Sequence, residues 1–492
     1  MKNIFNKTIY TLLVTLLAAP MVICAKESDP SSTPTIVSGD VMVYTTTASG
    51  GTLFQNSAVD YSTVSMSPYR IDLIDDGAYD DDEIIGFGPA ITGSTCYNLL
   101  RMSSSDRATL LNKCFDPTEG LGFSFVRVHI GGSDFSMDEY TCWDDPDADF
   151  AIPQIEKSSI WVILNEILNI NPEVRILGSP WSCPKWMKVE VDDLTTPYDS
   201  WTSGRLNPEY YDEYADYFIK WIEEMEDNGF PIHAITLQNE PLNQGNSMSL
   251  YMPWEDQRDF LKVLGPKFAA QCPDIKILAY DHNYDYDGIS DQYDYPVKLY
   301  QSEVADYIDG SAWHNYGGDV STLDGIYNAF PQKSIYFTEA SIGEWNYSFS
   351  SSLITDFSDI FIGTLSRHGR AVLLWNMMLD DQRGPYRPGG CSTCYGAIEI
   401  SSSNYKSLKY NTHYYNLAHC SKVIKPGAVR ISTDGFTTSG LEYLAFKNSD
   451  GSYAVIAVNS NSESVEVSIH QSEDKAFRYV IPLKSIVSFS WK

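Results

Sequence analysis

The segment Ala234-Ile235-Thr236-Leu237-Gln238-Asn239-Glu240-Pro241 is a short apolar run that ends in two amides and a carboxylate. A run of this length between turn residues is typical of a buried strand in a parallel sheet. Seven further runs of the same kind lie between residues 84 and 376, and helical segments separate most of them. Alternating strands and helices indicate βα units, so the chain is predicted to form an α/β fold, a (β/α)₈ TIM barrel.

The predicted barrel elements are short strands with longer helices between them. Two helices are well defined, over residues 160–169 and 210–228, because apolar side chains recur at helical spacing in the second and Asn228-Gly229 ends it. The eight predicted strands span residues 84–87, 124–130, 175–179, 234–238, 276–279, 311–314, 334–338 and 371–375.

The helical pattern fades after about residue 410, and short apolar runs separated by turn residues replace it. Such runs are typical of a β-sandwich, and we predict an appended all-β sandwich domain with strands at 441–446, 453–459, 464–470, 477–482 and 486–491. The expected organisation is a signal peptide (1–24), a linker (25–38), an N-terminal β segment that contributes to the sandwich (39–78), the catalytic barrel (79–412) and the C-terminal sandwich (413–492).

The N-terminus has the pattern of an export signal. Lys2 and Lys7 are followed by a mostly apolar stretch over residues 9–23, and Cys24 closes it. Two interpretations stay open: a bacterial lipoprotein signal with a lipidated Cys24, from which Ile23 departs, or a simple secretory signal. We expect an exported protein at the cell surface (an outer-membrane lipoprotein), in the periplasm or secreted. Its contact with a membrane would be limited to a lipid anchor at Cys24.

Composition narrows the class of partner. The net charge of −31 disfavours phosphate backbones and anionic lipid surfaces, so we expect no nucleic acid partner. The chain also has 33 tyrosines and 11 tryptophans, whose rings can stack on sugars. A carbohydrate-binding protein and a tyrosine-rich β surface explain this surplus equally well.

The cysteines permit disulfides without fixing their pairing. Eight cysteines remain after Cys24, an even number in a chain expected to be exported. Cys391 and Cys394 stand three residues apart in a glycine-rich stretch and could form a short-range disulfide. A zinc site would need a second ligand pair at metal spacing, which the sequence lacks, so we expect no metal.

Polar and aromatic residues follow the predicted strands, where the active site of a parallel barrel lies. They form no nucleophilic serine or cysteine triad. In chain order these rim residues are His129, Asp134, Trp181, Gln238, Asn239, Glu240, Asp281, His282, His314, Asn315, Tyr316, Glu339, Trp375 and Asn376.

Two of these residues are glutamates, Glu240 after the fourth strand and Glu339 after the seventh. Glycoside cleavage needs two carboxyl groups on either side of the bond, one protonated and one ionised. The two strands lie across the barrel mouth from each other, which suits the separation of roughly 5–5.5 Å found in retaining enzymes. Either glutamate alone could equally form a structural ion pair, but the two together predict catalysis.

The ordered motifs of the chain resemble glycoside hydrolase family 30, which includes glucosylceramidases and β-1,6-glucanases. The resemblance covers nearly all of the chain after residue 38. It rests on Gly86-Phe87-Gly88-Pro89-Ala90, Tyr97-Asn98-Leu99-Leu100, Phe125-Val126-Arg127-Val128, Ser133-Asp134-Phe135-Ser136, Ser179-Pro180-Trp181-Ser182 with Pro184 and Trp186, Thr236-Leu237-Gln238-Asn239-Glu240-Pro241, Phe337-Thr338-Glu339-Ala340, Trp375-Asn376 and residues 415–427.

The resemblance implies a barrel joined to a β-sandwich and hydrolysis with retention of configuration. It makes Glu240 the acid/base and Glu339 the nucleophile, and it implies no metal or cofactor. The substrate-binding residues that we predict are Arg127, Asp134, Trp181, Asn239, His314, Tyr316 and Trp375.

Simpler roles stay open for some of these residues: Trp181 could be a core residue, and Arg127 could form a buried pair with Asp134. Pro89 and Gly93 depart from the family pattern near the first strand. The loop over residues 383–394 also differs, and we expect it to shape the substrate subsites.

The predicted function is hydrolysis of a β-linked glucan, with internal cleavage of β-1,6-glucan as the leading reaction. A glucosylceramidase or an exo-β-glucosidase is the alternative within the same chemistry. The alternative of another class is a non-catalytic surface glycan-binding protein with a decayed barrel. Decay would remove a carboxylate or its neighbours, whereas both glutamates are present.

Overall fold

A computed structural model describes residues 37–62, 67–77, 79, 82–189 and 201–492. The predicted signal peptide (1–24) and residues 25–36 of the predicted linker lie outside the described residues. Within the described part of the chain, no helix combines the length and the apolar character that crossing a bilayer requires.

The described chain begins with three strands, which are β1 (Val41–Thr47), β2 (Gln55–Val59) and β3 (Arg70–Ile74). The barrel region follows. It contains the eight strands of the barrel wall and, in addition to them, three very short strands (β7, β8 and β13). Its strands are β4 (Gly86–Pro89), β5 (Phe125–Ile130), β6 (Arg175–Pro180), β7 (Lys188–Val189), β8 (Arg205–Leu206), β9 (Ile232–Thr236), β10 (Lys276–Asn283), β11 (Gly310–His314), β12 (Ser334–Glu339), β13 (Ile342–Gly343) and β14 (Gly369–Leu374).

The eight wall strands form one sheet in the order β4-β14-β12-β11-β10-β9-β6-β5, and neighbouring strands are parallel. A parallel bridge between Ala90 and Arg127 joins the two ends of this sheet, so the sheet closes on itself. Each strand overlaps one of the eight predicted from sequence, and the predicted (β/α)₈ barrel is confirmed.

Helices surround the wall. They are α1 (Gly93–Arg101), α2 (Ser104–Phe115), α3 (Gln154–Lys157), α4 (Ile160–Ile170), α5 (Tyr211–Asp227), α6 (Trp254–Gln271), α7 (Tyr295–Tyr300), α8 (Thr322–Ala329), α9 (Phe349–Asp356), α10 (Gly363–Ser366) and α11 (Thr412–Ser421). Both helices that the sequence defined well are present as α4 and α5. Helix α5 buries Tyr214, Phe218 and Trp221 along one face, as its apolar spacing indicates.

Helix α11 was not expected, because the sequence pattern placed the end of the helical region at about residue 410. All ten residues of this helix are buried, so it carries no contrast between an apolar and a polar face. His419 in this helix lies within 2.7 Å of Ser488 Oγ and 2.8 Å of Thr46 Oγ1. The helix is therefore fixed directly to the strands that follow and precede the barrel.

The remaining strands lie after β14. They are β15 (Met378–Asp380), β16 (Cys394–Tyr395), β17 (Ile398–Ile400), β18 (Leu408–Tyr410), β19 (Val429–Gly435), β20 (Leu441–Lys447), β21 (Tyr453–Asn459), β22 (Val465–His470), β23 (Ala476–Ile481) and β24 (Ser485–Trp491). Strands β20 to β24 overlap the five runs predicted for the sandwich, whereas β19 was missed.

The sandwich has two layers that share strand β19. Its first residues, Val429–Ile431, pair with β20, and the next four pair with β3, so the strand passes from one layer to the other. Strand β1 pairs with β24 at the other side. The N-terminal strands thus complete a sheet whose other members come from the far end of the chain.

The interior of the barrel contains an apolar layer. Every wall strand except β4 supplies a buried side chain to it, and Ile85 stands beside β4. The layer consists of Ile85, Phe125, Leu177, Ala234, Leu278, Ala312, Tyr336, Ala371 and Leu373. Side chains alternate along a strand, so the residue two positions further on points into the barrel again. That next layer is where the polar residues lie.

Candidate active site

The layer above the apolar side chains is polar or aromatic on most strands. Phe125 is followed two positions later by Arg127, Leu177 by Ser179, Ala234 by Thr236, Ala312 by His314, Tyr336 by Thr338 and Leu373 by Trp375. All of these second residues are at most 3% exposed. A dry floor therefore supports a buried polar layer at the C-terminal ends of the strands.

Strand β10 reaches the same layer through an irregularity. Its pairing with β11 shifts register between Tyr280 and His282, and Tyr280 and Asp281 both have positive φ, of 75° and 73°. The extra residue turns Asp281 towards the barrel interior, where strict alternation after Leu278 would have placed Tyr280. The strained backbone thus positions a carboxylate at the centre of the polar layer.

Arg127 is the cation of this layer, and it is not exposed to solvent. Its Nη2 donates to Asp281 Oδ2 at 2.8 Å and to Asn239 Oδ1 at 2.7 Å, and its Nη1 forms an ion pair with Glu339. A buried guanidinium is tolerated only when its charge and its hydrogen bonds are matched. Arg127 therefore joins strands on opposite sides of the barrel through one charged network.

Asp281 accepts hydrogen bonds from several strands. Ser179, Thr236 and Thr338 donate from 2.8, 2.7 and 2.6 Å, and His314 Nε2 lies 3.0 Å from Oδ1. Burial raises the pKa of Asp281, but the Arg127 charge and the His314 contact outweigh it and hold the pKa well below the ordinary value. Asp281 is thus a permanent anion.

Glu240 follows strand β9 in a left-handed backbone conformation, with φ of 46°. Its backbone N–H donates to Asp281 O at 3.0 Å. Asn243 Nδ2 and Asn246 Nδ2 donate to its Oε2 from 2.7 and 3.3 Å. On the other side, His314 Nδ1 lies 3.3 Å from Oε1. Both carboxylate oxygens are therefore fixed in direction.

The charges around Glu240 shift its titration. Burial raises its pKa, but the His314 hydrogen bond and the charges of His282 and His314 bring it below the ordinary value. Burial likewise lowers the pKa of His314, yet Glu339, Asp281 and Glu240 raise it to about 9. His314 is therefore a second buried cation in the layer.

Glu339 ends strand β12 and receives two donors. Arg127 Nη1 pairs with Oε2, and Tyr316 OH donates to Oε1 from 2.9 Å. These contacts favour the ionised carboxylate. Burial raises the pKa of Glu339, however, and the neighbouring carboxylates act in the same direction, so the balance lies above the ordinary value although His314 and Arg127 lower it.

The two glutamates face one cavity of about 430 Å³ at the barrel mouth. The remainder of its wall is supplied by the loops that follow strands β5, β9, β10, β11, β12 and β14. Its lining residues are Asp134, Glu240, Asn243, Asn246, His282, Asn283, Asp287, Tyr316, Glu339, Ser341, Trp345, Trp375, Gly389, Gly390, Cys391, Thr393 and Cys394. A buried carboxyl pair in an aromatic-walled cavity is the arrangement that glycoside hydrolysis requires.

Comparison with known proteins identifies the family. The model of the glycosyl hydrolase family 30 TIM-barrel domain matches residues 84–424, and the model of the family 30 β-sandwich domain matches residues 427–489. The chain belongs to glycosyl hydrolase family 30. It is therefore a glycoside hydrolase, as the sequence motifs predicted.

Individual relatives of this family 30 chain share most of its length. It is 29% identical to the endo-1,6-β-D-glucanase BGN16.3 of Trichoderma harzianum, over 98% of this chain and 99% of that protein. It is 27% identical to the lysosomal acid glucosylceramidase of Mus musculus, over 83% of this chain and 81% of that protein. The solved structure of the endo-β1,6-glucanase BT3312 is 47% identical, with a TM-score of 0.88, 92% of this chain covered and 99% of that one.

The predicted site residues of this family 30 enzyme fall into two groups. Asp134, Glu240, Tyr316, Glu339 and Trp375 line the cavity. The other four lie behind its wall: Asn239 and Arg127 contact each other, and His314 contacts Glu240, as described above. Trp181 is 1% exposed and stacks on Trp375 with ring centroids 5.0 Å apart.

One open alternative is wrong. Arg127 does not pair with Asp134; the ion pairs of Arg127 in the described structure are with Asp281 and Glu339. Asp134 instead lines the cavity, where burial and the charges of Glu339 and Glu240 raise its pKa well above the ordinary value.

Sequence reasoning assigned no role to several residues that the structure brings into the site. Asp281 and His282 stood among the rim residues, but nothing in the strand pattern revealed the irregularity that turns Asp281 inward. Asn243 and Asn246 follow Glu240 at short spacing, and this spacing could have predicted that their amides lie near the Glu240 carboxylate. Trp345 follows strand β12, which ends at Glu339, and its side chain is 50% exposed, which sequence cannot show.

The loop after strand β14 closes one side of the cavity. A disulfide joins Cys391 to Cys394, with the Cα atoms 5.7 Å apart, and both residues line the wall. Arg387 N donates to Asp134 O at 2.8 Å, which ties this loop to the loop after β5. The other cysteines among the described residues are free and buried.

We expect Asp281→Asn to lower both stability and activity. Losing this anion leaves Arg127 and His314 partly uncompensated in the interior, which should cost about 3–5 kcal/mol in unfolding free energy. The side chains of Glu240 and Glu339 should move from their present positions, and kcat/KM should therefore fall by roughly 100-fold. Denaturant unfolding and steady-state hydrolysis measure the two effects.

Asp212→Asn is the matched control for this change. Asp212 pairs with Lys267 at 2.9 Å but is 70% exposed, so its loss should cost less than about 1 kcal/mol and leave hydrolysis unchanged. Wild-type activity in Asp281→Asn would show that the buried network does not position the two glutamates.

Proposed function

We propose that this family 30 hydrolase cleaves β-1,6-glucan at internal linkages, with retention of configuration, through Glu339 as nucleophile and Glu240 as acid/base. The observation that carries the proposal is the pair of glutamates on one cavity, each held by its own donors. The relatives named as endo-β-1,6-glucanases support the choice of linkage. A non-catalytic binding protein would have no need of Glu240, which is not an ion-pair partner of Arg127 in the described structure.

The charges of the layer suit a reaction that moves one proton. Arg127 and His314 supply two positive charges, whereas Asp281, Glu240 and Glu339 can supply three negative ones. One proton shared by the two glutamates makes the cluster neutral, and the pair then titrates as a unit. Asp281 does not compete for this proton, because its pKa lies well below the ordinary value.

The reaction follows from these positions. The Glu339 carboxylate attacks the anomeric carbon while the bond to the leaving oxygen breaks, and Glu240 gives that oxygen its proton. Water then attacks the glycosyl–enzyme ester, Glu240 takes the proton from the water, and Glu339 leaves as a carboxylate. Arg127 and Tyr316 stabilise the Glu339 charge before and after the covalent state.

The surroundings of the cavity favour a polymer over a lipid glycoside. A second cavity of about 600 Å³ shares Tyr316, Ser341 and Trp345 with the catalytic one. Its other lining residues are mainly polar, including Asn315, Asn346, Ser351, Ser352, Thr355, Asp356, Asp359 and His413. A ceramide chain would need an apolar surface there, whereas further glucosyl units would find hydroxyl, amide and carboxylate partners.

The roles of the glutamates can be separated with an aryl β-glucoside whose leaving group needs no acid. Glu240→Gln should keep the first step on this substrate and accumulate the glycosyl–enzyme, and added azide should restore turnover as β-glucosyl azide. Glu339→Gln should lose at least about 1,000-fold in kcat on every substrate.

Glu303→Gln, at an exposed site paired with Lys262, is the control and should behave as the wild type. Full activity in Glu339→Gln, or an azide product in that variant instead of in Glu240→Gln, would refute the assignment.

Internal cleavage predicts a ladder of oligosaccharides from linear β-1,6-glucan early in the reaction. Trp345→Ala removes the exposed ring between the two cavities, so KM for the polymer should rise about tenfold while the aryl β-glucoside is unaffected. Tyr69→Ala, an exposed aromatic on the sandwich, should change neither. Release of glucose alone, or faster hydrolysis of glucosylceramide, would contradict the proposal.

We also propose that the protein is exported and anchored at the bacterial cell surface through a lipid on Cys24. The basic start, the apolar stretch and Cys24 support this location. Cells that express the full chain should incorporate labelled palmitate into it, and Cys24→Ser should abolish the label. Labelling that persists in Cys24→Ser would exclude the anchor.

A further inference from the structure

Two histidines present the same ring nitrogen to the proposed acid/base. His314 Nδ1 lies 3.3 Å from Glu240 Oε1, and His282 Nδ1 lies 3.9 Å from the same oxygen. All three atoms lie within 4.8 Å of one another, and all three residues are buried. The three side chains come from the ends of strands β9, β10 and β11, so the rigid barrel wall brings them together.

The opposite nitrogen of each ring is bound to a carboxylate. His314 Nε2 lies 3.0 Å from Asp281 Oδ1, and His282 Nε2 lies 2.9 Å from Asp287 Oδ2. Asn283 donates to the second oxygen of Asp287 from 2.9 Å. A carboxylate on Nε2 fixes the orientation of an imidazole and makes its other nitrogen a better ligand, as in carboxylate–histidine–zinc triads.

The unpaired Nδ1 of His282 is the part of this group that the catalytic mechanism leaves unexplained. Its ring is 1% exposed, and in the described structure its Nδ1 has no hydrogen-bond partner although it is buried. Buried polar atoms are nearly always satisfied, and an exception calls for a missing partner. Glu240 Oε1, at 3.9 Å, is too distant to be that partner, and His282 lines the cavity.

We propose that Glu240, His282 and His314 form a binding site for a transition-metal dication such as Zn²⁺, and that the ion inhibits the enzyme reversibly. Two imidazoles and a carboxylate are ligands that suit zinc, whereas Mg²⁺ and Ca²⁺ prefer sites made of oxygen alone. Zinc ligands lie about 2.0–2.2 Å from the ion and so roughly 3.3–3.5 Å apart. The Glu240–His314 spacing already fits, and a small rotation brings His282 into reach.

The ion would inhibit the enzyme because it would bind to the carboxylate of the proposed acid/base, Glu240. Zn²⁺ bound to Glu240 Oε1 and to the Nδ1 of His314 takes the place of the Nδ1 proton of His314 and of any proton on Glu240, and these protons leave to solvent. The carboxyl group can then neither protonate the leaving oxygen nor accept a proton from water. Asn243 and Asn246 still hold Oε2, and a water molecule would supply the fourth ligand of the ion.

Direct binding tests the site without a substrate. Isothermal titration with Zn²⁺, and visible absorption with Co²⁺ as a spectroscopic substitute, should show one ion per wild-type chain. His282→Gln should weaken the affinity at least tenfold. Asp287→Asn should weaken it less, because it keeps the His282 ring and removes only the carboxylate that orients it. His233→Gln, which removes a histidine next to the apolar floor, where it lies 3.1 Å from Tyr336 OH, should bind as the wild type does.

Hydrolysis of an aryl β-glucoside provides the second measurement. Zn²⁺ should inhibit the wild type with a constant close to its dissociation constant, EDTA should restore the rate, and Mg²⁺ should have no effect. In His282→Gln the residual rate should resist Zn²⁺ at least tenfold better. Thermal melting of each variant confirms that it is folded, and Asp287→Asn serves if His282→Gln does not fold.

Equal Zn²⁺ affinity in wild type, His282→Gln and Asp287→Asn would overturn the site. Binding that depends on His282 but leaves hydrolysis unchanged would overturn the inhibition. Inhibition, unlike binding, rests on the proposed role of Glu240, and the azide experiment tests that role separately. A failure of the site and a failure of the proposed function are therefore distinguishable.

Discussion

A fully buried guanidinium is the constraint on which this site depends. Arg127 is not exposed, and an unpaired charge in its place would cost several kcal/mol. Asp281 and Glu339 must therefore stand where they compensate it, and Asn239 must turn its oxygen towards it. The proposed nucleophile is thus a partner in a structural ion pair. Its position follows from the requirement that the charge in the middle of the barrel be neutralised.

The layers of the barrel make this arrangement possible. The apolar floor excludes water from below, which strengthens every electrostatic contact in the layer above it. In the same surroundings of low polarity, the loss of one charged residue would leave its partner unpaired, at a high cost in unfolding free energy. The irregularity at Tyr280 and Asp281 resolves this conflict, because it turns inward the carboxylate that matches both Arg127 and His314. Backbone strain in one strand is compensated by hydrogen bonds from three others.

Sequence patterns predicted the regular parts of this structure and missed the irregular ones. Eight buried runs with polar ends were enough for the barrel, and Glu240 and Glu339 followed from their positions after strands. The role of Asp281 was missed because a strict two-residue alternation puts Tyr280 at the inward position. Helix α11 was missed because it is buried on every side. Closeness in sequence also failed to predict the ion pairs. Arg127 and Asp134 are near each other in sequence, yet Arg127 pairs with Asp281 and Glu339 across the barrel.

The two steps of the proposed reaction need opposite protonation states of Glu240, and different neighbouring residues favour each state. In the proposed mechanism, the first step needs a proton on Glu240, and the second needs a bare carboxylate. His314 and His282 lower its pKa and so favour the second state, whereas the negative charge of Glu339 repels a second carboxylate and favours the first. That repulsion disappears when Glu339 becomes an ester, so the histidines then act unopposed. In the proposed mechanism, the loss of one charge at Glu339 therefore converts Glu240 from an acid into a base.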